Sequence, residues 1–130
     1  MKSRTTICAL VVVGTLAGCT TPTLTSQGAG ETRETSAGTV LVDSRGMTVY
    51  TYDEDEPGKS NCTGMCAVFW PPVEAAEGAS ASGQFTLIRR ENGADQWAYD
   101  EMPLYGYFGD AEPGDVSGDG VDGVWHVVHQ

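Results

Sequence analysis

Two tyrosines and an aspartate recur as a unit. Tyr50, Tyr52 and Asp55 are followed 55 residues later by Tyr105, Tyr107 and Asp110, so Tyr-x-Tyr-x-x-Asp stands twice in the chain. Side chains two apart on an extended backbone share a face, which puts both phenols of a unit on one side. With a carboxylate beside them they could form a ligand surface. They could equally build structure: the rings pack, the hydroxyls find partners at the edge, and the Asp caps the turn before the Pro-Gly that follows each unit. A catalytic site seldom needs two copies in one small domain, so the recurrence favours the fold-building role.

Cys62 and Cys66 are the second constellation. If their segment is helical, residues four apart place their Cα atoms ~6 Å from each other, within disulfide reach. The other two cysteines, Cys8 and Cys19, fall in an amino-terminal stretch with its own reading, given below. An even pair in an oxidising compartment is expected to be a structural bridge. The sharper alternative is a soft-metal or redox site, in which Met65 adds a thioether suited to Cu(I) beside the two sulfurs. The chain lacks the βαβ pattern of the thioredoxin-like copper-delivery proteins, so that analogy rests on spacing alone.

The loop Asp115-Val-Ser117-Gly-Asp119-Gly120 has the start of a calcium loop, with oxygen-bearing residues at alternate positions and a Gly at the sharp turn. Asp122 could add a ligand. The twelfth position is His126, where an EF-hand places a bidentate carboxylate, so an acidic surface loop is the competing reading. His126 and His129 are the only histidines, and their spacing on a strand points them opposite ways, against a shared metal. No nucleophile elbow, His-Glu pair or acid–base carboxylate couple is present, so no catalytic residues are assigned and the chain is expected not to be an enzyme.

These residues must be positioned by short elements. Met47 and Met102 precede the two Tyr units, Glu56-Pro57-Gly58 and Glu112-Pro113-Gly114 follow them, and Trp70 and Trp125 close them at the same 55-residue offset. β-branched residues around Asp43-Ser-Arg-Gly46 predict a hairpin over 39–52. Asn61 is the expected N-cap of a short helix that carries the Cys pair and stops at Pro71-Pro72. Strands are expected over 85–90, 96–100, 104–108 and 124–128. The fold class is therefore mainly β: one small domain of two related β-repeats, about 39–72 and 96–128, with one short helix near the Cys pair.

The amino terminus is an address. Lys2 and Arg4 precede an apolar run, Ile7 to Val13, of signal-peptide length, and Leu16-Ala17-Gly18-Cys19 resembles the bacterial lipobox. Residues 1–18 are expected to be a signal peptide, and Cys19 to be lipidated, with palmitate-class acyl chains that each add ~0.8 kcal/mol of membrane affinity per buried methylene. Residues 19–38 are polar and read as the lipidated Cys and a flexible tether to a domain spanning 39–130. Thr20 follows the Cys and no Asp stands there, which favours an outer membrane facing the periplasm over inner-membrane retention. Once Lys2 and Arg4 leave, five basic residues face 18 acidic ones and the net charge is −13. Such a surface repels phosphate backbones, so nucleic acid is excluded as a partner.

Beside this reading stands a resemblance. The paired Tyr units, the Cys62-x-Gly64-x-Cys66-Ala67-x-x-Trp70-Pro71-Pro72 stretch, Gln96-Trp97-Ala98-Tyr99 and Trp125-His126 resemble the bacterial secreted-repeat lipoprotein family, over essentially all of 39–130. That family has a Tyr-x4-Asp motif and no known function, so the resemblance supplies no catalytic or binding residues. The expected protein is a non-enzymatic envelope lipoprotein, held to the membrane by its lipid, that binds or scaffolds an unidentified envelope protein or ligand. The alternatives are a periplasmic copper or redox protein and a calcium-binding module; no cofactor is expected under the first reading.

Overall fold

In the computed structural model, residues 30–130 are described, together with the isolated Gly14 and Gly18. The signal peptide, the Cys19 lipidation site and the tether as far as residue 29 lie outside the described residues. Among the described residues, seven strands and one α-helix follow in order: β1 Glu31–Thr35, β2 Gly38–Val42, β3 Tyr50–Tyr52, α1 Met65–Phe69, β4 Phe85–Arg89, β5 Asp95–Tyr99, β6 Met102–Pro103 and β7 Trp125–Val127, with a 3-10 turn at Val121–Gly123 before β7. The protein is mainly β, as the residue pattern predicts.

The strands form three small antiparallel sheets, β1-β2, β3-β7 and β4-β5-β6. Single bridges stitch them together, among them Val40 to His129, Val42 to Thr48, Tyr50 to Tyr105 and Pro72 to Tyr105. The expected 39–52 hairpin exists only beside its turn. Asp43 N–H donates to Met47 C=O and Val49 N–H to Leu41 C=O, after which the chain leaves β2 and Tyr50–Tyr52 pairs with Trp125–Val127.

Alternation along these strands sorts the side chains into two cores. Val40, Val42, Tyr50, Tyr105, Trp70, Trp125, Val127 and Cys62 pack in one. Their chain neighbours Leu41, Val49 and Leu104 pack with Trp97 in the other. Both faces of the central ribbon are therefore covered, and a one-residue slip would exchange the two sets.

Three further expectations need correction. The strand expected over 104–108 is not formed: β6 ends at Pro103, and the backbone then turns away from β5 to bond the other half, Tyr105 by single bridges to Tyr50 and Pro72, Gly106 N–H to Pro71 C=O and Phe108 N–H to Phe69 C=O. The tether does not run to residue 38: β1 begins at Glu31 and pairs with β2 from Glu31–Val42 to Thr35–Gly38. Four of its five residues are exposed, so composition gives no sign of it. An edge strand needs only backbone bonds to its neighbour and tolerates charge. Asn61 does not cap the helix: α1 starts at Met65 after Gly64, whose φ of 60° suits a residue without a Cβ. The Asn61 backbone N–H goes instead to Asp55 Oδ1, at 2.6 Å.

Candidate functional site

The two Tyr units meet at the centre of the molecule. Tyr50 and Tyr105 form a reciprocal backbone bridge, each N–H donating to the other's C=O at 2.8 and 2.9 Å. Around this bridge the halves exchange partners. Tyr50 pairs with Val127 of the second half, and Tyr105 with Pro72 of the first, the equivalent residue 55 positions earlier.

The carboxylates are exchanged in the same way. The Tyr50 hydroxyl donates to Asp110 Oδ2 and the Tyr105 hydroxyl to Asp55 Oδ2, both at 2.6 Å. This is the range of charge-assisted O–H···O⁻ bonds. Each carboxylate's second oxygen accepts a backbone amide: Asn61 N–H on Asp55 at 2.6 Å and Ser117 N–H on Asp110 at 2.9 Å. Each Asp thus ties down the loop beyond its Pro-Gly turn and serves the other repeat, where a cap on its own turn was expected. Burial, and then the bond to the aspartate, pushes both phenols well above their ordinary ionisation range. Burial also raises the Asp55 carboxyl, against the opposing pull of the Tyr105 hydroxyl, the Asn61 amide and the Arg90 charge.

The aromatic residues form a second symmetric figure. Trp70 and Trp125 stack with centroids 3.8 Å apart and planes 2° from parallel. Tyr107 lies on the outer face of Trp70 at 4.2 Å, and Tyr52 on the outer face of Trp125 at 4.3 Å. Four rings therefore run in one stack, Tyr52–Trp125–Trp70–Tyr107. Tyr50 meets Trp70 edge-on at 5.5 Å and Tyr105 meets Trp125 edge-on at 5.3 Å. Gly118 makes room for this: a Cβ there would stand 2.9 Å from both Trp70 and Tyr50.

The halves differ on the Tyr105 side. Its hydroxyl also meets Ser60 Oγ at 2.6 Å. Arg90 donates to Ser60, to the buried Gln96 side chain and to the Cys62 carbonyl. On the other side the Tyr50 oxygen accepts Gly118 N–H at 3.2 Å. The sequence did not single out Ser60 or Arg90, and it offered Gln96 only within the family resemblance and Gly118 only within the calcium-type loop, none of them as a partner of the Tyr units. They sit outside the repeated motif, and no local spacing links them to it.

Cys62 and Cys66 form a disulfide, with Cα atoms 5.2 Å apart. In this state both sulfurs are used, and Met65 beside them is solvent-exposed. The calcium-type loop is not assembled as a ligand set. Asp115 Oδ2 accepts Ala111 and Glu112 N–H, and Asp119 Oδ1 accepts Val127 N–H. The Ser117 backbone is held by Asp110, and Asp122 stands exposed in the 3-10 turn. Among the described residues no three His, Cys, Asp or Glu side chains come together as a metal site. His126 pairs with Asp53 at 2.8 Å, and His129 lies on the bridge to Val40.

Among the described residues, the exposed large hydrophobic side chains gather at α1. The exposed large hydrophobic residues among those described are Met65 (65%), Val68 (61%) and Phe69 (42%) on α1, and Phe108 (63%). Phe69 and Phe108 touch edge to face at 4.9 Å, and Phe108 N–H donates to Phe69 C=O. Beside α1 a cleft of about 440 Å³ is lined by Thr63, Gly64 and Ala67 on one wall and Arg89 and Arg90 on the other. No helix among the described residues is long and apolar enough to cross a membrane.

A family model described as a secreted repeat of unknown function matches twice, over residues 31–74 and 86–129. The matches are 55 residues apart and begin at β1 and β4, earlier in each half than the 39 and 96 expected from the Tyr units. No curated protein and no solved structure matches the chain.

Proposed function

The chain belongs to this family of secreted repeats of unknown function, and from that premise we propose that it is a lipid-anchored, non-enzymatic binding module of the cell envelope. The observation that carries the binding reading is the exposure of Met65, Val68 and Phe69, which lie three and four apart on α1, together with Phe108, which touches Phe69. Apolar residues scattered singly over a surface need no explanation, whereas a contiguous patch with a polar surround is the usual mark of a contact site. The repeated motif supports the non-enzymatic reading, because the Tyr50 and Tyr105 phenols and the Asp55 and Asp110 carboxylates are buried and bonded to each other, out of contact range of a bound substrate. The lipobox supports the anchor, with Cys19 as the acylated residue and the envelope membrane as its partner. The bonded sulfurs and the amide-bound carboxylates favour neither copper nor calcium.

Two measurements test this. Metabolic labelling with an alkyne fatty acid should mark the protein and be lost in Cys19→Ala, together with membrane fractionation. A photocrosslinking amino acid at position 68 or 108 should give one discrete adduct in intact cells, while the same probe at Thr32 gives none. Absence of the label removes the anchor; equal or absent adducts at all three positions remove the binding face.

A further inference from the structure

The buried aromatic centre has a geometry that packing alone does not require. Two indoles share a face at 3.8 Å, and each is met edge-on by a phenol whose hydroxyl already donates to a carboxylate. We propose that this centre is a one-electron redox site, in which the Trp70–Trp125 pair is oxidised and Tyr50 or Tyr105 takes up the hole while passing its proton to Asp110 or Asp55.

Each part of the step has a group in place. The half-buried Tyr52 and Tyr107 cap the stack at its two ends, so a diffusible one-electron oxidant at the surface reaches the indoles through continuous ring contact. Two parallel indoles in van der Waals contact can share a positive hole that one ring would carry alone. A neutral phenol cannot hold that hole without losing its proton, and bulk water does not reach the fully buried Tyr50 and Tyr105. A positioned base within hydrogen-bond distance is what the proton needs, and the aspartates supply it at 2.6 Å. Gly118 N–H remains on the Tyr50 oxygen, and Ser60 Oγ on the Tyr105 oxygen, after the proton has moved. The step balances: phenol, carboxylate and oxidant become phenoxyl radical, carboxylic acid and the oxidant reduced by one electron. The substrate class is a small one-electron oxidant, such as a peroxyl-type radical, and the protein acts as its sink.

The test uses the full chain with photogenerated tris(bipyridyl)ruthenium(III) as oxidant, freeze-trapping and electron paramagnetic resonance. The expected signal is a phenoxyl radical whose yield is independent of pH across neutrality, because the proton goes to Asp and not to solvent. In the Tyr50→Phe/Tyr105→Phe variant the pH-independent signal should be lost, leaving a tryptophan radical or a phenoxyl radical on the half-buried Tyr52 or Tyr107 whose yield rises with pH as solvent takes the proton. Tyr99→Phe should leave it unchanged, since that hydroxyl reaches Gln84 and no carboxylate. Near-ultraviolet circular dichroism verifies that the rings still pack in each variant. If the double variant loses its fold, the single Tyr50→Phe and Tyr105→Phe forms are compared, and each should lower the phenoxyl yield. A phenoxyl signal that disappears in Tyr99→Phe, that rises with pH in the native protein, or that stays independent of pH in the double variant overturns the proposal.

Discussion

The Tyr50 hydroxyl is bonded to Asp110, a residue of the opposite repeat 60 positions away, and not to Asp55 of its own motif. With the reciprocal bond from Tyr105 to Asp55, this makes the motif a clasp between halves. Neither half can satisfy its own buried phenol, so the repeats are expected to fold as one cooperative unit.

Removing one side of a clasp should therefore cost more than the bond itself. Tyr50→Phe leaves a buried Asp110 oxygen without its donor, and a destabilisation of about 1–3 kcal/mol is expected. In a double-mutant cycle with Asp110→Asn, the two losses should fall short of additivity by about 0.5–3 kcal/mol in urea unfolding. Full additivity would mean that the pair does not act as a unit.

The phenols also set a pH dependence. Burial and the aspartate bonds hold Tyr50 and Tyr105 protonated above the ordinary value of 10.0. Unfolding releases phenols that ionise near that value, so the unfolded chain binds fewer protons and stability falls as pH rises past it. The urea midpoint should decline steeply there in the native protein and less so in Tyr50→Phe/Tyr105→Phe. Asp55 has the same sign in acid. Its raised folded pKa contributes stability that is fully present below the ordinary 3.8 and lost as pH rises through the folded value. A carboxyl-carbon titration by nuclear magnetic resonance should place Asp55 above the exposed aspartates.

The disulfide closes a short loop, so Cys62→Ser/Cys66→Ser should cost only about 2 kcal/mol. Its structural reach is longer than that figure suggests. The bridge fixes the 60–66 segment, whose Ser60 and Cys62 carbonyl hold Arg90 and whose Ser60 meets Tyr105. Amide exchange on reduction should rise first at 58–66, with the Tyr50 side following only at global unfolding.

Gly118 offers a packing test without a backbone complication. An added methyl would stand 2.9 Å from the rings of Trp70 and Tyr50. Gly118→Ala is expected to destabilise by about 1–3 kcal/mol through overpacking and to disturb the near-ultraviolet dichroism of the stack. A Gly58→Ala comparison, where the new methyl meets nothing, isolates the cost of the left-handed backbone at its φ of 75°.

Much of the architecture is written locally. The 55-residue offset of Tyr, Asp and Trp declares two related halves, the alternation along 39–52 assigns Val49 and Tyr50 to opposite faces, and the Cys spacing admits the bridge. These readings depend only on which way neighbouring side chains point, and backbone period fixes that. What the chain alone could not say is who meets whom across the centre. β1 was hidden because a strand of exposed Thr, Glu and Arg is held by backbone bonds to β2, which composition does not record. The Asp115 and Asp119 carboxylates, which match a calcium pattern in sequence, are turned onto amides by the way the loop folds back. Each tyrosine is given the other repeat's aspartate because the halves bridge at Tyr50 and Tyr105 and exchange their outer strands. Two copies of one motif carry identical local information, so only their docking against each other can decide whether a partner comes from the same copy or from its twin.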